Sequence, residues 1–339
     1  MESSSVAIIG AGPSGLTAAK HLLQAGLQSV IFEQSDDLGG QWHAEAAHSG
    51  VWPSMPANTS RITTQFSDFP HGSDIPLFPS NRQVHDYLRR YAECFGVGQR
   101  VRLNTRVIGI ERTDSQWTVR YQTGSDAPKT QTFAHVIAAS GRYNKPRRPS
   151  IAGLDRFSRT HTVMHSFDYT GPEAFAGQRV LVVGNSISGL EICADLAADP
   201  RISVISACRK PRYILSKILG GAPTDCLAFT RFASLAFRAL PPLEAAEGLK
   251  QLILRFCGSP EQYGGLRPSD NILEANISQC QNYLPFIAEG RIAVTGAPVS
   301  FTDGGAEFED GTHEAIDAVI FATGFDLNLP YLGDDQKRK

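Results

Sequence analysis

The chain has 339 residues, 42% hydrophobic and 19% charged, with a formal net charge of −2. This length suits two domains with separate cores, and the balance of charge argues against a general nucleic-acid binder. No run is long and apolar enough to span a bilayer, and Met1-Glu2-Ser3-Ser4-Ser5 shows no basic region with an apolar stretch, so a cytoplasmic location is expected.

In chain order, the apolar run Val6-Ala7-Ile8-Ile9 predicts a buried strand, followed by the turn Gly10-Ala11-Gly12-Pro13-Ser14-Gly15. Leu16, Ala19, Leu22 and Leu23 then recur at helical spacing, with Gly26 as a stop. Strand, G-x-G-x-x-G turn and helix form a dinucleotide fingerprint: glycine lets the backbone approach a pyrophosphate, whose charge sits at the helix N-terminus. Glu33 closes the next strand, Ser29-Val30-Ile31-Phe32, where an acid is suited to ribose hydroxyls.

Val84 to Phe95 has helical periodicity. Val101–Glu111 and Gln116–Tyr121 read as strands of a small antiparallel layer, and Phe133–Ala139 as another buried strand stopped by Ser140-Gly141. The Pro-rich, basic stretch Asn144 to Pro149 marks a crossing between domains.

A second fingerprint follows Val180-Leu181-Val182-Val183: Gly184-Asn185-Ser186-Ile187-Ser188-Gly189, with Ser186 in place of the middle glycine. No acid closes its next strand, Ile202 to Ser206; Arg209, Lys210 and Arg212 lie just beyond. Basic groups there suit a ribose 2′-phosphate, hence NADP(H) rather than NAD(H). Two fingerprints in one chain suggest a flavin dinucleotide and the nicotinamide that reduces it.

Residues 211–284 read as an irregular, helix-rich insertion. Its most apolar part, Leu227 to Leu243, is broken by Arg231, Arg238 and paired prolines, and reads as a buried or interfacial helix lining a substrate channel or a homodimer contact. Short strands at 292–294, 299–301 and 306–308 precede Asp317-Ala318-Val319-Ile320-Phe321-Ala322-Thr323-Gly324, which parallels His135 to Gly141. The predicted fold is α/β: two Rossmann-like dinucleotide-binding domains of the three-layer ββα type, with the NADP domain inserted into a discontinuous FAD domain. The FAD domain is read as 1–165 and 290–339, and the NADP domain as 175–289.

The six cysteines, at 94, 193, 208, 226, 257 and 280, form no close pair, which argues against a flavin disulfide reductase. His161 and His165 are four apart without an acid to complete a metal site, so no metal is expected.

Taken together, these motifs resemble the flavin-containing monooxygenase family, the class B flavoprotein monooxygenases, and most closely its fungal members. The resemblance rests on the first fingerprint with Glu33, Gly39-Gly40-Gln41-Trp42, Asn58-Thr59-Ser60, Phe66-Ser67-Asp68-Phe69-Pro70, His165 to Tyr169, the second fingerprint and Phe321 to Phe325. It implies FAD contacts from Gly10, Gly12, Pro13, Ser14, Gly15, Glu33, Gln41 and Trp42, cofactor contacts from Asn58, Thr59, Val107, Thr323 and Gly324, and a catalytic role for Asn58. It implies NADP contacts from Gly184, Asn185, Ser186, Ser188, Gly189, Arg209 and Lys210. Asn58 matches the asparagine near the flavin's reactive carbon, although Ala57 stands where the family usually has threonine.

The family's linker pattern F-x-G-x-x-x-H-x-x-x-[FY] is matched at its end by His165 and Tyr169, whose roles are then structural; after Phe157 the spacing is two residues longer and the glycine is lost. The implied activity is oxygenation of a small-molecule nitrogen or sulfur by NADPH and O2 through a flavin C4a-hydroperoxide. The alternatives are Baeyer–Villiger oxygenation of a ketone, an uncoupled NADPH oxidase, or an inactive protein. The chain ends 15 residues after Gly324, where family members continue, and so reads as shortened at its C-terminus.

Overall fold

The computed structural model describes residues 5–113 and 115–333. The described residues divide into two compact units, 5–55 with 79–146 and 325–333, and 56–78 with 147–324. The tail Asp334–Lys339, placed with the FAD domain from the sequence, lies outside the described residues.

In the first unit, β1 (Ser5–Ile9) leads through the glycine turn into α1 (Pro13–Gln24), which returns to β2 (Gln28–Phe32). The helix α2 (Asn81–Cys94) begins in a capping box between Ser80 and Gln83. Then come β3 (Val101–Arg102), β4 (Thr105–Thr113), β5 (Gln116–Thr123), β6 (Lys129–Phe133) and β7 (His135–Ala138). Among the described residues, four strands form a parallel sheet in the order β3-β2-β1-β7, and β4-β5-β6 form an antiparallel layer. Ala7, Ile9 and Phe32 pack with Val107, Val119 and Phe133 to join the two layers.

Two details differ from the sequence reading. Val101 and Arg102 pair with Ile31 and Phe32 in the parallel sheet, not in the antiparallel layer. The strand at 135–138 is an edge, with Val136 and Ile137 half-buried and Ala138 exposed; an apolar run reports a buried strand only when both faces are covered.

In the second unit, β8 (Thr162–His165) precedes β9 (Arg179–Val183), α3 (Ile187–Ala198) and β10 (Ser203–Ala207). The insertion holds β11 (Tyr213–Leu215), the hairpin β12 (Ile218–Leu219) and β13 (Ala222–Pro223), the helices α4 (Thr224–Ala228), α5 (Arg231–Ala239) and α6 (Pro242–Cys257), and β14 (Ile277–Gln279). β15 (Ile292–Thr295), β16 (Pro298–Thr302), β17 (Gly305–Phe308), β18 (His313–Ala315) and β19 (Ala318–Phe321) complete the unit. The second parallel sheet runs β15-β10-β9-β19-β8, beside an antiparallel β16-β17-β18 layer.

This corrects the boundary drawn from sequence. Residues 292–321 belong with the second fingerprint, because β19 pairs with β9 and β15 with β10. The likeness of 317–324 to 135–141 arises because each is the strand beside its own fingerprint strand, not because both serve one domain. Residues 56–78 also fall in the second unit. The apolar segment 227–243 is not buried: no residue of α5 is, and Phe232 is 82% exposed.

Candidate dinucleotide sites and the Asn58 turn

The first turn is shaped by backbone sterics. Gly10 has φ +104°, and a Cβ there would meet the Ala139 carbonyl oxygen at 2.6 Å. Gly15 lies against the Gly10 carbonyl, where a Cβ would come within 1.9 Å. Gly12 differs: its φ is −75°, and a Cβ would meet only the Gly40 backbone among the described residues, with Cα at the ordinary distance of 3.6 Å. No contact among the described residues therefore demands glycine at 12, which fits a position kept bare for a ligand. No side chain caps α1, and Pro13 occupies its first turn, so Ser14 and Gly15 present a helix N-terminus able to receive a pyrophosphate.

Glu33 is buried at the end of β2. Its Oε2 accepts the Ala11 N–H at 2.7 Å and its Oε1 the Ser35 N–H at 2.9 Å. A carboxylate has about four lone-pair sites, so acceptor capacity remains for ribose hydroxyls. His48 lies beside this acid with Nδ1 3.3 Å from Ser35 Oγ; burial lowers its pKa, the Glu33 charge opposes this and His43 reinforces it.

Gln41 and Trp42 lie in a single 3-10 turn after Gly39 and Gly40. The Gln41 amide is engaged locally, donating to the His48 carbonyl at 2.9 Å and accepting the Gly50 N–H at 3.2 Å. Val107 is a core residue of the sheet–layer junction.

The second turn repeats the design. Gly184 has φ +122°, a Cβ there would meet the Ala322 carbonyl oxygen at 2.4 Å, and Gly189 lies against the Gly184 carbonyl. Ser186 occupies the position of Gly12 with φ −82° and ψ 177°, extended backbone that any residue adopts, so serine there costs no strain. Ser186 and Ser188 are exposed at the start of α3. The Asn185 amide donates to the Lys210 carbonyl at 2.9 Å, tying the turn to the basic loop in which Arg209 and Lys210 are exposed.

Beside this turn, His165 fastens the ends of two strands. Its Nδ1 accepts the Phe167 N–H at 3.1 Å, so the proton resides on Nε2, which donates to the Gly324 carbonyl at 3.0 Å. Burial lowers the His165 pKa. The Thr323 hydroxyl donates to the Arg147 carbonyl, and the Arg147 N–H to the Gly324 carbonyl. Tyr169 donates its hydroxyl to Asp195 at 2.8 Å.

Asn58 also lies in the second unit, just before the short helix Arg61–Thr64. Its Oδ1 is buried without a hydrogen-bond partner among the described residues, an unusual state for a polar atom and one suited to a ligand. Thr59 is exposed, its hydroxyl 2.9 Å from that of Thr64. Two groups that hold this turn carry no signal in the sequence. The Asp225 carboxylate, 165 residues away, accepts the Ser60 N–H at 2.6 Å, and the Arg61 guanidinium donates to the carbonyls of Ser73 and Ile75.

A chain with two such turns, each opening a helix beneath a parallel sheet, is of the two-dinucleotide α/β class. It belongs to the family described as flavin-binding monooxygenase-like, whose model matches residues 3–339. It is 34% identical over 343 residues to flavin-containing monooxygenase 3 of Rattus norvegicus, covering 97% of this chain and 63% of that protein. It is 32% identical over 342 residues to dimethylaniline monooxygenase (N-oxide-forming) 2 of Pan troglodytes, covering 97% and 63%. The chain thus spans less than two thirds of these relatives' length.

Solved structures share the fold. The S-allyl-L-cysteine S-oxygenase of Allium sativum has a TM-score of 0.66 at 24% identity, covering 98% of this chain and 64% of that one. An open cyclohexanone monooxygenase structure has a TM-score of 0.69 at 19% identity, covering 95% and 73%. Membership of a flavin-binding family agrees with a flavin at one of the two paired turns. Among the described residues no helix is long and apolar enough to cross a membrane.

Proposed function

We propose that this chain is an NADPH- and FAD-dependent monooxygenase that places one atom of O2 on the nitrogen or sulfur of a small molecule and releases the other as water. The observation that carries the reading is the presence of two dinucleotide turns in one chain, the second bordered by Arg209 and Lys210. FAD, when bound, supplies hydride acceptance and O2 activation.

The protein's part is to bind and orient. Gly10, Gly12, Pro13, Ser14 and Gly15 hold the flavin pyrophosphate and Glu33 its ribose, with Gln41, Trp42, Thr59, Val107, Thr323 and Gly324 supporting the cofactors. Gly184, Asn185, Ser186, Ser188 and Gly189 hold the NADP pyrophosphate; Arg209 and Lys210 take its 2′-phosphate. Asn58 offers a neutral amide to the reacting centre, able to accept and donate hydrogen bonds without delivering an ionisable proton.

The names of the Pan troglodytes and Allium sativum proteins, an N-oxide-forming monooxygenase and an S-oxygenase, support nitrogen and sulfur as targets. The likeness to cyclohexanone monooxygenase supports ketone oxygenation as the second reading. The test is to purify the protein with FAD and supply NADPH with a tertiary amine, a thioether or a cyclic ketone. NADPH loss, O2 uptake, hydrogen peroxide and product are then measured together. One oxygenated product per NADPH from the amine or thioether is expected; product only from the ketone moves the reading to Baeyer–Villiger chemistry, and peroxide alone rejects oxygenation. The proposal takes the enzyme as a homodimer, which light scattering checks.

A further inference from the structure

Asp225 presents an unusual arrangement. It sits at the start of α4, in the insertion, and is 1% exposed. Its Oδ2 accepts the Ser60 N–H at 2.6 Å and the Thr63 hydroxyl, while Oδ1 accepts its neighbour's Cys226 N–H at 3.0 Å. Ser60 makes no side-chain cap for the helix Arg61–Thr64; its hydroxyl lies 3.8 Å from Cys226 Sγ instead. A remote carboxylate therefore does what a local cap usually does: it satisfies N–H and O–H donors at the start of the helix.

The far side of the turn is fixed independently, by the Arg61 N–H donating to the Leu77 carbonyl at 2.8 Å and by the Arg61 guanidinium. Two residues before Ser60 stands Asn58, with Oδ1 buried and unpartnered among the described residues. Burial by itself would raise the Asp225 pKa, but the hydrogen bonds from Thr63 and Ser60 outweigh it and hold the carboxyl below its usual range.

We propose that Asp225 is a positioning residue: through Ser60 and Thr63 it locks the turn that aims the Asn58 amide, and so couples the fold of the insertion to oxygen transfer. The inference rests on the monooxygenase reading for its chemistry but on this hydrogen-bond geometry for the lock. Asp225 acts through Asn58, so its loss and the loss of Asn58 remove the same thing.

The experiment compares holoenzyme with Asp225→Asn, Thr63→Val, Asn58→Ala and the double variant Asn58→Ala/Asp225→Asn. Asp225→Asn is expected to retain FAD and to be reduced by NADPH without oxygen at a rate within about threefold of wild type, while product per NADPH falls about tenfold or more, as misplacement of an orienting group implies. The milder Thr63→Val should move the same ratio in the same direction and guards against a folding failure of the first variant. The double variant should fall no further than Asn58→Ala, whereas independent sites would add. Additive losses, or unchanged coupling in both clamp variants, overturn the positioning role.

Hydrogen exchange judges the lock separately from the chemistry. Amides 60–64 should exchange roughly tenfold faster in Asp225→Asn, as expected when a local closing interaction is removed; unchanged protection overturns the lock whatever the activity. If wild type oxygenates nothing while exchange does rise, the monooxygenase reading and the positioning role fail together, and Asp225 is a structural clamp only.

Discussion

Gly184 lies against Ala322 so closely that a Cβ on the glycine would meet the Ala322 carbonyl oxygen at 2.4 Å, and Gly10 bears the same relation to Ala139, at 2.6 Å. In each unit the turn that opens the fingerprint helix is wedged against the end of the neighbouring strand. Both glycines also have positive φ. Gly184→Ala therefore forces a backbone clash and a strained conformation together, which should cost about 2–4 kcal/mol. A thermal melt of the purified variant checks this; an unchanged Tm would mean that the turn relaxes freely.

Gly12 sets the opposite expectation. It has negative φ and only ordinary contact with Gly40, so Gly12→Ala should shift stability by less than about 1 kcal/mol. Its methyl group would nevertheless stand where the pyrophosphate approaches, and Gly12→Val would obstruct that approach further. Both should purify as folded protein with reduced flavin, valine nearly devoid of it. The ratio of flavin absorbance to protein absorbance reads the effect, and full flavin content in Gly12→Val removes this turn from the FAD site.

Local pattern made much of this legible. Each fingerprint, its preceding apolar strand and Glu33 stand where strand–turn–helix spacing puts them, because those contacts join residues close in sequence. The parallel between 135–141 and 317–324 was also real, but its meaning was topological: β7 pairs with β1 and β19 with β9. Sequence pattern does not say which sheet a strand completes. The Asp225–Ser60 contact spans 165 residues and leaves no periodic trace. Of the two readings of Leu227 to Leu243, buried or interfacial, the buried one fails: Phe229, Phe232 and Leu235 are exposed, since hydrophobicity alone does not supply a covering surface.

Arg209 should decide nucleotide choice. The Asn185–Lys210 hydrogen bond holds the basic loop against the second turn, where a 2′-phosphate would be received. A hydrogen bond to a charged group contributes about 1.5–3 kcal/mol, which is roughly tenfold to a hundredfold in affinity. Arg209→Ala should raise the NADPH KM by about that factor and leave NADH nearly unchanged. Steady-state kinetics with both nucleotides test it, and equal losses for the two would reject Arg209 as the discriminating residue.

His165 should make stability depend on acid. Its Nε2–H donates to Gly324 and its Nδ1 accepts from Phe167, an arrangement that only the neutral ring satisfies. Burial lowers its pKa below the ordinary value of 6.5. The unfolded chain therefore binds the proton first as pH falls. The stabilisation is fully present above about pH 6.5 and is lost as pH drops through the lower folded-state pKa. The facing charges, Asp168 and Arg148, oppose and assist this shift respectively. Melts between pH 8 and pH 5 should show a larger loss of Tm in wild type than in His165→Gln, which keeps the contribution of His48. His165→Gln should be the less stable protein at pH 8, since it cannot make both hydrogen bonds in the same geometry. Parallel pH curves for the two proteins would remove His165 from the acid response.

Asn58 carries the most demanding expectation. Its Oδ1 is buried without a partner among the described residues, and an unsatisfied buried acceptor costs about 1–3 kcal/mol. Asn58→Ala removes that burden, so it should leave stability equal to or slightly above wild type. If the amide serves only the turn, activity should follow stability and hold. If it serves the reacting centre, the two separate: the variant binds FAD, is bleached by NADPH without oxygen, and with oxygen releases hydrogen peroxide in place of product. Loss of a positioned hydrogen-bonding group at such a centre typically lowers rate on the order of a hundredfold to a thousandfold. Stopped-flow reduction, peroxide yield and product yield on one preparation divide the two cases. A variant of unchanged or higher Tm that still couples NADPH to product as wild type does would show Asn58 to be a turn residue, and the assignment of the reacting centre would have to move elsewhere.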